Sequence, residues 1–135
     1  MKFRRGLALF FSCLLVSSCI TRTQQYAFEV RRGASIEEKI GRAKELVTEA
    51  RIARLKVELR EKHADLTDAQ LEKVGIRWTE NWQVTADGGK ANRSVTITVI
   101  MQEQPGADTA AVVKTAARIL DAEINGPEYS AIDAR

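Results

Sequence analysis

Thiol and imidazole side chains, which carry most nucleophilic and metal chemistry in proteins, are scarce in this chain. The 135 residues include two cysteines, Cys13 and Cys19, and one histidine, His63. A structural zinc site takes four Cys or His ligands, and a nucleophile needs a base beside it. No motif supplies such a partner to His63, and a protonated imidazole suits its position near the predicted end of a helix. We therefore expect no catalytic residue, no metal site and no cofactor.

The segment that leads to Cys19 has the three parts of an export signal. A basic start at residues 2–5, an apolar stretch at residues 6–16 and two serines precede the cysteine. This order is typical of a secretory signal peptide. As a helix, the apolar stretch would span about 16 Å against roughly 30 Å of bilayer hydrocarbon, so we do not expect a stable transmembrane helix.

Val16-Ser17-Ser18-Cys19 resembles the lipobox of bacterial lipoproteins, and the resemblance covers residues 1–19 only. It implies that residues 1–18 are cleaved, that the Cys19 sulfur receives a diacylglycerol, and that the new amine is acylated. Two or three chains would anchor the protein durably, whereas one chain is marginal. In that family an aspartate after the cysteine often retains the protein in the inner membrane. Ile20 therefore favours the outer membrane, facing the periplasm, in a cell that has one. The alternative is an ordinary signal peptide in which Cys19 is incidental.

The net charge of +3 is a property of the export segment. Three of the 21 basic residues precede Cys19, which leaves 18 basic residues against 18 acidic ones. A neutral, exported domain is a poor candidate for nucleic-acid binding, which depends on concentrated basic charge. We expect no nucleic-acid partner.

The remaining residues predict one small α+β domain in the order β-α-α-β-β-α, with helices on one face of an antiparallel sheet. We assign residues 19–25 to a lipidated tether, 26–127 to the domain and 128–135 to a tail without a clear pattern. One long helix is predicted from Ser35 to about Lys62, because a capping box precedes a stripe at helical spacing. In the second strand of the hairpin, Val99 should be buried and Thr98 should face solvent. The apolar stripe of the last helix includes Leu120.

A second apolar ridge lies on the predicted long helix and consists of Ile52, Leu55 and Leu59. One stripe is enough for a helix that packs on a single sheet, so this ridge needs another partner. Either it is buried within the domain, or it contacts another chain. We predict the second as a partner-binding surface, since exposed apolar patches often mark protein contacts.

Two tryptophans, Trp78 and Trp82, lie at alternate positions of the first hairpin strand. Strand tryptophans are more often core residues than binding residues. An exposed one could stack on a sugar or anchor a protein partner.

These observations leave three functional hypotheses. The first is a non-enzymatic, membrane-anchored accessory lipoprotein that binds another cell-envelope protein, or a second copy of itself, in an assembly, pilot or inhibitory role. The second is a glycan- or lipid-binding envelope lipoprotein that uses Trp78 and Trp82. The third, a small envelope enzyme, has the least support because acid/base residues are so few. The exposure of the two tryptophans distinguishes the first two.

Overall fold

In the computed structural model, which describes residues 22–84, 86, 88 and 92–126, three strands and four helices follow one another. They are β1 (Thr23–Glu29), α1 (Ile36–Leu46), α2 (Glu49–Lys62), α3 (Asp68–Leu71), β2 (Val74–Gln83), β3 (Asn92–Gln102) and α4 (Thr109–Asn125). The predicted α+β class is confirmed. The order is β-α-α-α-β-β-α, with one helix more than predicted.

The sheet has β3 at its centre, flanked by β1 and β2, and both pairings are antiparallel. Successive side chains of a strand point to opposite faces. Val95, Ile97, Val99 and Met101 of β3 share one face and are fully buried, whereas Thr98 lies on the other face and is partly exposed. The predicted faces of this strand are therefore confirmed. Helices α1 and α4 pack against the buried face.

The prediction of one long helix from Ser35 to Lys62 is wrong, because the helix is interrupted at Val47 and Thr48. The Thr48 hydroxyl donates to the Glu45 carbonyl at 3.0 Å and accepts from the Arg51 amide at 3.3 Å. A threonine side chain that bonds to the nearby backbone competes with the helical hydrogen bonds. Here it caps the start of α2 directly after α1 has ended.

The break explains why the sequence showed two apolar faces. Each helix has its own apolar stripe. Because the chain turns between the two helices, the stripe of α2 faces the core although it lies at a different angle from the stripe of α1. Leu55 and Leu59 are fully buried there, together with Leu120 of α4, whose predicted stripe is confirmed. Buried residues four apart lie on one face of a helix, so a single stripe is enough for α2.

The predicted tether at residues 19–25 overlaps β1. Thr23, Gln24 and Gln25 pair with the last residues of β3, and the Arg22 carbonyl accepts from the Glu103 amide at 2.8 Å. The sequence missed this part of β1 because its side chains are polar and largely exposed, so no apolar alternation marks it. The strand β1 therefore begins at Thr23, three residues before the predicted start at residue 26.

Candidate functional site

Cys19 and the rest of the predicted export signal lie outside the described residues, as does the tail at residues 128–135. The signal, the cleavage and the lipid therefore stay predictions. None of the helices in the described part of the chain is long and apolar enough to span a bilayer.

The predicted partner-binding ridge is not on the surface. Leu55 and Leu59 have no exposed area, and Ile52 is half-buried. Of the two readings left open by the sequence, burial within the domain is the one observed, and the prediction of an exposed surface is wrong. The physical reason is the break at Thr48, which turns this stripe of α2 towards the core.

The two tryptophans occupy different environments although they share a face of β2. Trp78 pairs with Ile97, is half-buried against the core, and has the Lys44 ammonium 6.0 Å from its ring centroid. Trp82, four residues further along, is 59% exposed. Its pairing partner is Arg93 near the start of β3, where the strand pair extends beyond the buried core.

Arg93 fixes the surroundings of Trp82. Its guanidinium carbon lies 4.6 Å from the Trp82 ring centroid, which is the geometry of a cation–π contact. Nη2 of Arg93 donates to both carboxylate oxygens of Glu80, at 2.6 and 2.8 Å, and Nη1 lies 3.8 Å from Glu37 of α1. The hydrogen bond to Glu80 raises the pKa of Arg93 above its ordinary value, so the stacked group stays charged.

A second apolar side chain close to Trp82 in the chain, that of Val84, is also exposed. It lies two residues beyond Trp82 and is 66% exposed. We call Trp82, Val84 and Arg93 the arm tip, because they lie at the end of β2 and the start of β3. A surface tryptophan that is free to change rotamer loses conformational entropy when it binds a partner. The Trp82 ring is already held by the side chain stacked on it, so this entropy cost is smaller. The arm tip is therefore a preorganised apolar surface beside an arginine–glutamate ion pair.

The register of the sheet puts the start of β1 and the arm tip at opposite ends. Thr23 pairs with Gln102 at the end of β3, and Trp82 pairs with Arg93 near its start. Nine residue steps of extended strand lead from Arg93 to Gln102, which corresponds to about 30 Å. Whatever precedes Thr23 in the chain is therefore attached at the end of the sheet that lies far from Trp82.

His63 is the C-cap of α2, in agreement with its predicted position at a helix end. Its Nε2 lies 3.0 Å from the Thr115 hydroxyl, and that hydroxyl donates to the Ala111 carbonyl at 2.8 Å. A hydroxyl has one proton, so Thr115 must accept from His63, and Nε2 carries a hydrogen. This geometry orients the ring through a hydroxyl that is itself bonded to the backbone of α4.

A charged cluster that the sequence analysis missed joins α2 to α4. Arg51 is 8% exposed, and its Nε donates to Glu123 at 2.6 Å, while Arg54 Nη2 binds the other Glu123 oxygen at 2.9 Å. Removing one member of such a pair leaves a buried charge without compensation. The helical spacing of Arg51, Leu55 and Leu59 was the available signal, since it places Arg51 on the buried stripe.

Among residues 22–84, 86, 88 and 92–126, no group of three or more His, Cys, Asp or Glu side chains is arranged to hold a metal ion.

No protein-family model matches the chain, and neither the curated proteins nor the solved structures compared with it give a match.

Proposed function

We propose that this protein is a membrane-anchored accessory lipoprotein that binds another cell-envelope protein through the arm tip and has no enzymatic activity. The lipid would be attached to Cys19. Because the next residue is Ile20 and not aspartate, we expect the outer membrane, facing the periplasm, in a Gram-negative cell. The proposal replaces the ridge at Leu55 and Leu59 with the arm tip as the partner-binding surface.

The observation that carries the proposal is the exposure of Trp82 at 59% in a fixed orientation. Tryptophan and arginine are enriched among the residues that dominate protein–protein binding energies. Val84 widens the apolar surface beyond a single ring. Single exposed apolar residues are common on protein surfaces. An exposed aromatic ring that is stacked on an arginine and followed by a second exposed apolar residue is less common.

The position of the anchor indicates where the partner lies. Only Ile20, Thr21 and Arg22 separate Cys19 from β1, and four extended residue steps span at most about 14 Å. A lipid on Cys19 would therefore hold the β1 start close to the bilayer. With the strands upright, the arm tip would lie about 30 Å further from the membrane. That favours a partner in the aqueous compartment over insertion of Trp82 into the same bilayer.

Glycan binding through Trp82 is the second candidate, since an exposed tryptophan ring can stack on a sugar. Arg93 covers one face of the ring and leaves the other side exposed. The neighbouring Asn81 amide is engaged, because it donates to the Thr96 hydroxyl at 2.6 Å. The exposed Val84 favours a protein partner, because an aliphatic side chain adds apolar contact area without offering a hydrogen bond to sugar hydroxyls.

Affinity purification from detergent-solubilised envelopes tests the proposal. Trp82→Ala should reduce the co-purified partner at least tenfold, since truncation of a hot-spot residue costs about 2 kcal/mol or more. Val57→Ala is the matched control, because Val57 is 60% exposed but lies on α2, away from the arm. The control should retain the partner.

Equal recovery with wild type and Trp82→Ala would contradict the role of the arm tip. Purified cell-wall glycan, tested with the same two variants, distinguishes the second candidate. Binding of glycan that is lost in Trp82→Ala, without a co-purified protein, would replace the protein-binding proposal with the glycan-binding one.

A further inference from the structure

The outer side of β2 has no strand beside it within the described part of the chain. The strand order β1-β3-β2 gives β2 a single neighbour along the whole range Val74–Gln83. We call the side of β2 that faces away from β3 the β2 edge. An edge of this kind presents a row of N–H and C=O groups, which can pair with another extended chain.

The backbone pairing shows which residues of β2 face this edge. The Val30 amide donates to the Val95 carbonyl at 2.8 Å, so the backbone groups of Val95 point towards β1. Alternate residues of an antiparallel ladder point to opposite sides, so the backbone groups of Thr96 point towards its partner Thr79 in β2. The residues of β2 that alternate with Thr79, and therefore point their N–H and C=O groups away from β3, include Ile76, Trp78, Glu80 and Trp82. Within the described residues no hydrogen bond reaches these outward groups.

The other edge of the sheet, along β1, is protected where the β2 edge is not. The Asn125 side chain of α4 accepts from the Arg31 amide at 2.7 Å and donates to the Glu29 carbonyl at 2.9 Å. These are bonds of the kind that a neighbouring strand would make, so Asn125 closes the end of that edge. A charge that points inwards can also protect an edge, but the charge of Glu80 is balanced by Arg93.

The side chains along the β2 edge indicate the chemistry of a strand that could be added there. On the face that carries the helices, such a strand would lie beside Ile76, Trp78 and Trp82, which favours apolar side chains. On the other face it would lie beside exposed polar residues, of which Arg77 is the charged one. An acidic side chain opposite Arg77 is favoured, because cross-strand pairs of opposite charge stabilise a sheet.

We infer that the envelope partner adds an extended segment to the β2 edge as a fourth, antiparallel strand. Its apolar side chains face the helices, one of them beside Trp82, and an acidic side chain lies beside Arg77. Backbone pairing supplies the affinity of such a complex, and the alternate side chains supply its specificity. This inference rests on the proposed function, whose partner it describes. It makes the arm tip the anchor for one end of a bound strand.

Amide hydrogen exchange of the purified mature protein in detergent, measured by NMR, tests the inference. The probe is a synthetic peptide of about ten residues, the length of a long strand, in which valine alternates with glutamate or threonine. Without peptide, the outward amides of Trp78 and Glu80 should exchange freely, whereas those of Arg77 and Thr79 are bonded to β3 and protected. Peptide at about ten times its dissociation constant should slow exchange of the outward amides about tenfold, because only the unbound fraction exchanges freely. The amides of Arg77 and Thr79 should change little.

Two N-methylated forms of the peptide are the matched controls, because methylation removes N–H donors and leaves every side chain unchanged. In the antiparallel pairing the valines lie opposite Trp78 and Glu80 and make the backbone bonds. Methylation of the valine amides should therefore abolish the protection, and methylation of the amides between them should preserve it. Arg77→Glu should make a peptide with lysine in place of glutamate the better ligand.

Unchanged exchange of the outward amides, or equal protection by the two methylated peptides, would overturn the inference. Protection of the same amides without peptide, in a protein that sediments as a dimer, would also overturn it and assign the β2 edge to a second copy of the chain.

Purification of the partner tests the proposed function separately. A partner that is lost with Trp82→Ala, together with outward amides that the peptide does not protect, overturns strand addition alone. A partner that Trp82→Ala retains overturns the role of the arm tip, and with it the anchoring of a bound strand by Trp82.

Discussion

At the scale of single residues, Arg93 explains two features of β2. Glu80 interrupts the apolar alternation of the strand, and it does so because its carboxylate binds Arg93 on the neighbouring strand. The same guanidinium stacks on Trp82. A charge-assisted hydrogen bond is roughly twice as strong as a neutral one, so Glu80 holds Arg93 firmly against the ring. The orientation of Trp82 therefore depends on two residues that do not themselves form the apolar surface.

Thr48 is the residue that separates α1 from α2, and its hydroxyl can be tested alone. Thr48→Ala should lower the free energy of unfolding by about 1 kcal/mol, because the cap of α2 and the bond to Glu45 are both lost. Thr48→Ser keeps the hydroxyl and should stay close to wild type. Denaturant unfolding followed by circular dichroism measures the difference. An alanine variant as stable as wild type would mean that the hydroxyl does not cause the break.

At the scale of elements, the sequence predicted the helices and strands that have regular apolar spacing. It missed the helix break that depends on hydrogen bonds between a side chain and the nearby backbone. The hairpin strands and α4 have regular apolar spacing, and the structure confirms them. Val47 and Thr48 at the break are β-branched and disfavour a helix only slightly, so a helix of 3.6-residue period could be drawn through them. The apparent second face at Leu55 and Leu59 was a consequence of drawing one helix where there are two.

The candidate site was predictable only in part. Trp78 and Trp82 have the same position in the strand pattern, and only the extent of the helices that cover the sheet makes one half-buried and the other exposed. That extent is a tertiary property which no local pattern contains. Arg93 could not be assigned for a similar reason, because its partners Glu80 and Glu37 are 13 and 56 positions away in the chain.

Burial of the α2 stripe reverses the expected effect of charging it. Leu55→Lys with Leu59→Lys should unfold the domain, whereas exposed leucines would have tolerated the change. Truncation of one buried leucine costs about 2–5 kcal/mol, and buried ammonium groups add to this, against a total stability of about 5–15 kcal/mol. Val57→Lys on the same helix is the control, since Val57 is 60% exposed.

Thermal melting followed by circular dichroism compares the stability of the double variant with that of Val57→Lys. The double variant should lose its cooperative transition, and Val57→Lys should melt near wild type. A double variant that stays folded but loses a binding partner would restore the ridge as a contact surface.

At the scale of the whole molecule, the start of β1 and the arm tip lie at opposite ends of the sheet. The distance between them along β3 is about 30 Å. The tether between Cys19 and β1 is only three residues long. An anchor at that position would give the domain a membrane-facing end and a partner-facing end. This arrangement suits an accessory protein that holds a partner at a fixed distance from a bilayer.

The proposed function depends on the lipid at Cys19, so attachment of fatty acid is its most direct test. Cells that produce the wild-type chain or Cys19→Ser are supplied with radioactive palmitate, and the immunoprecipitated protein is counted. Serine lacks the thiol that accepts the diacylglycerol, so the wild type should be labelled and the variant should not. The variant should also accumulate at the mass of the uncleaved precursor. Equal labelling of the two forms, or none in the wild type, would contradict the anchor and the functional proposal built on it.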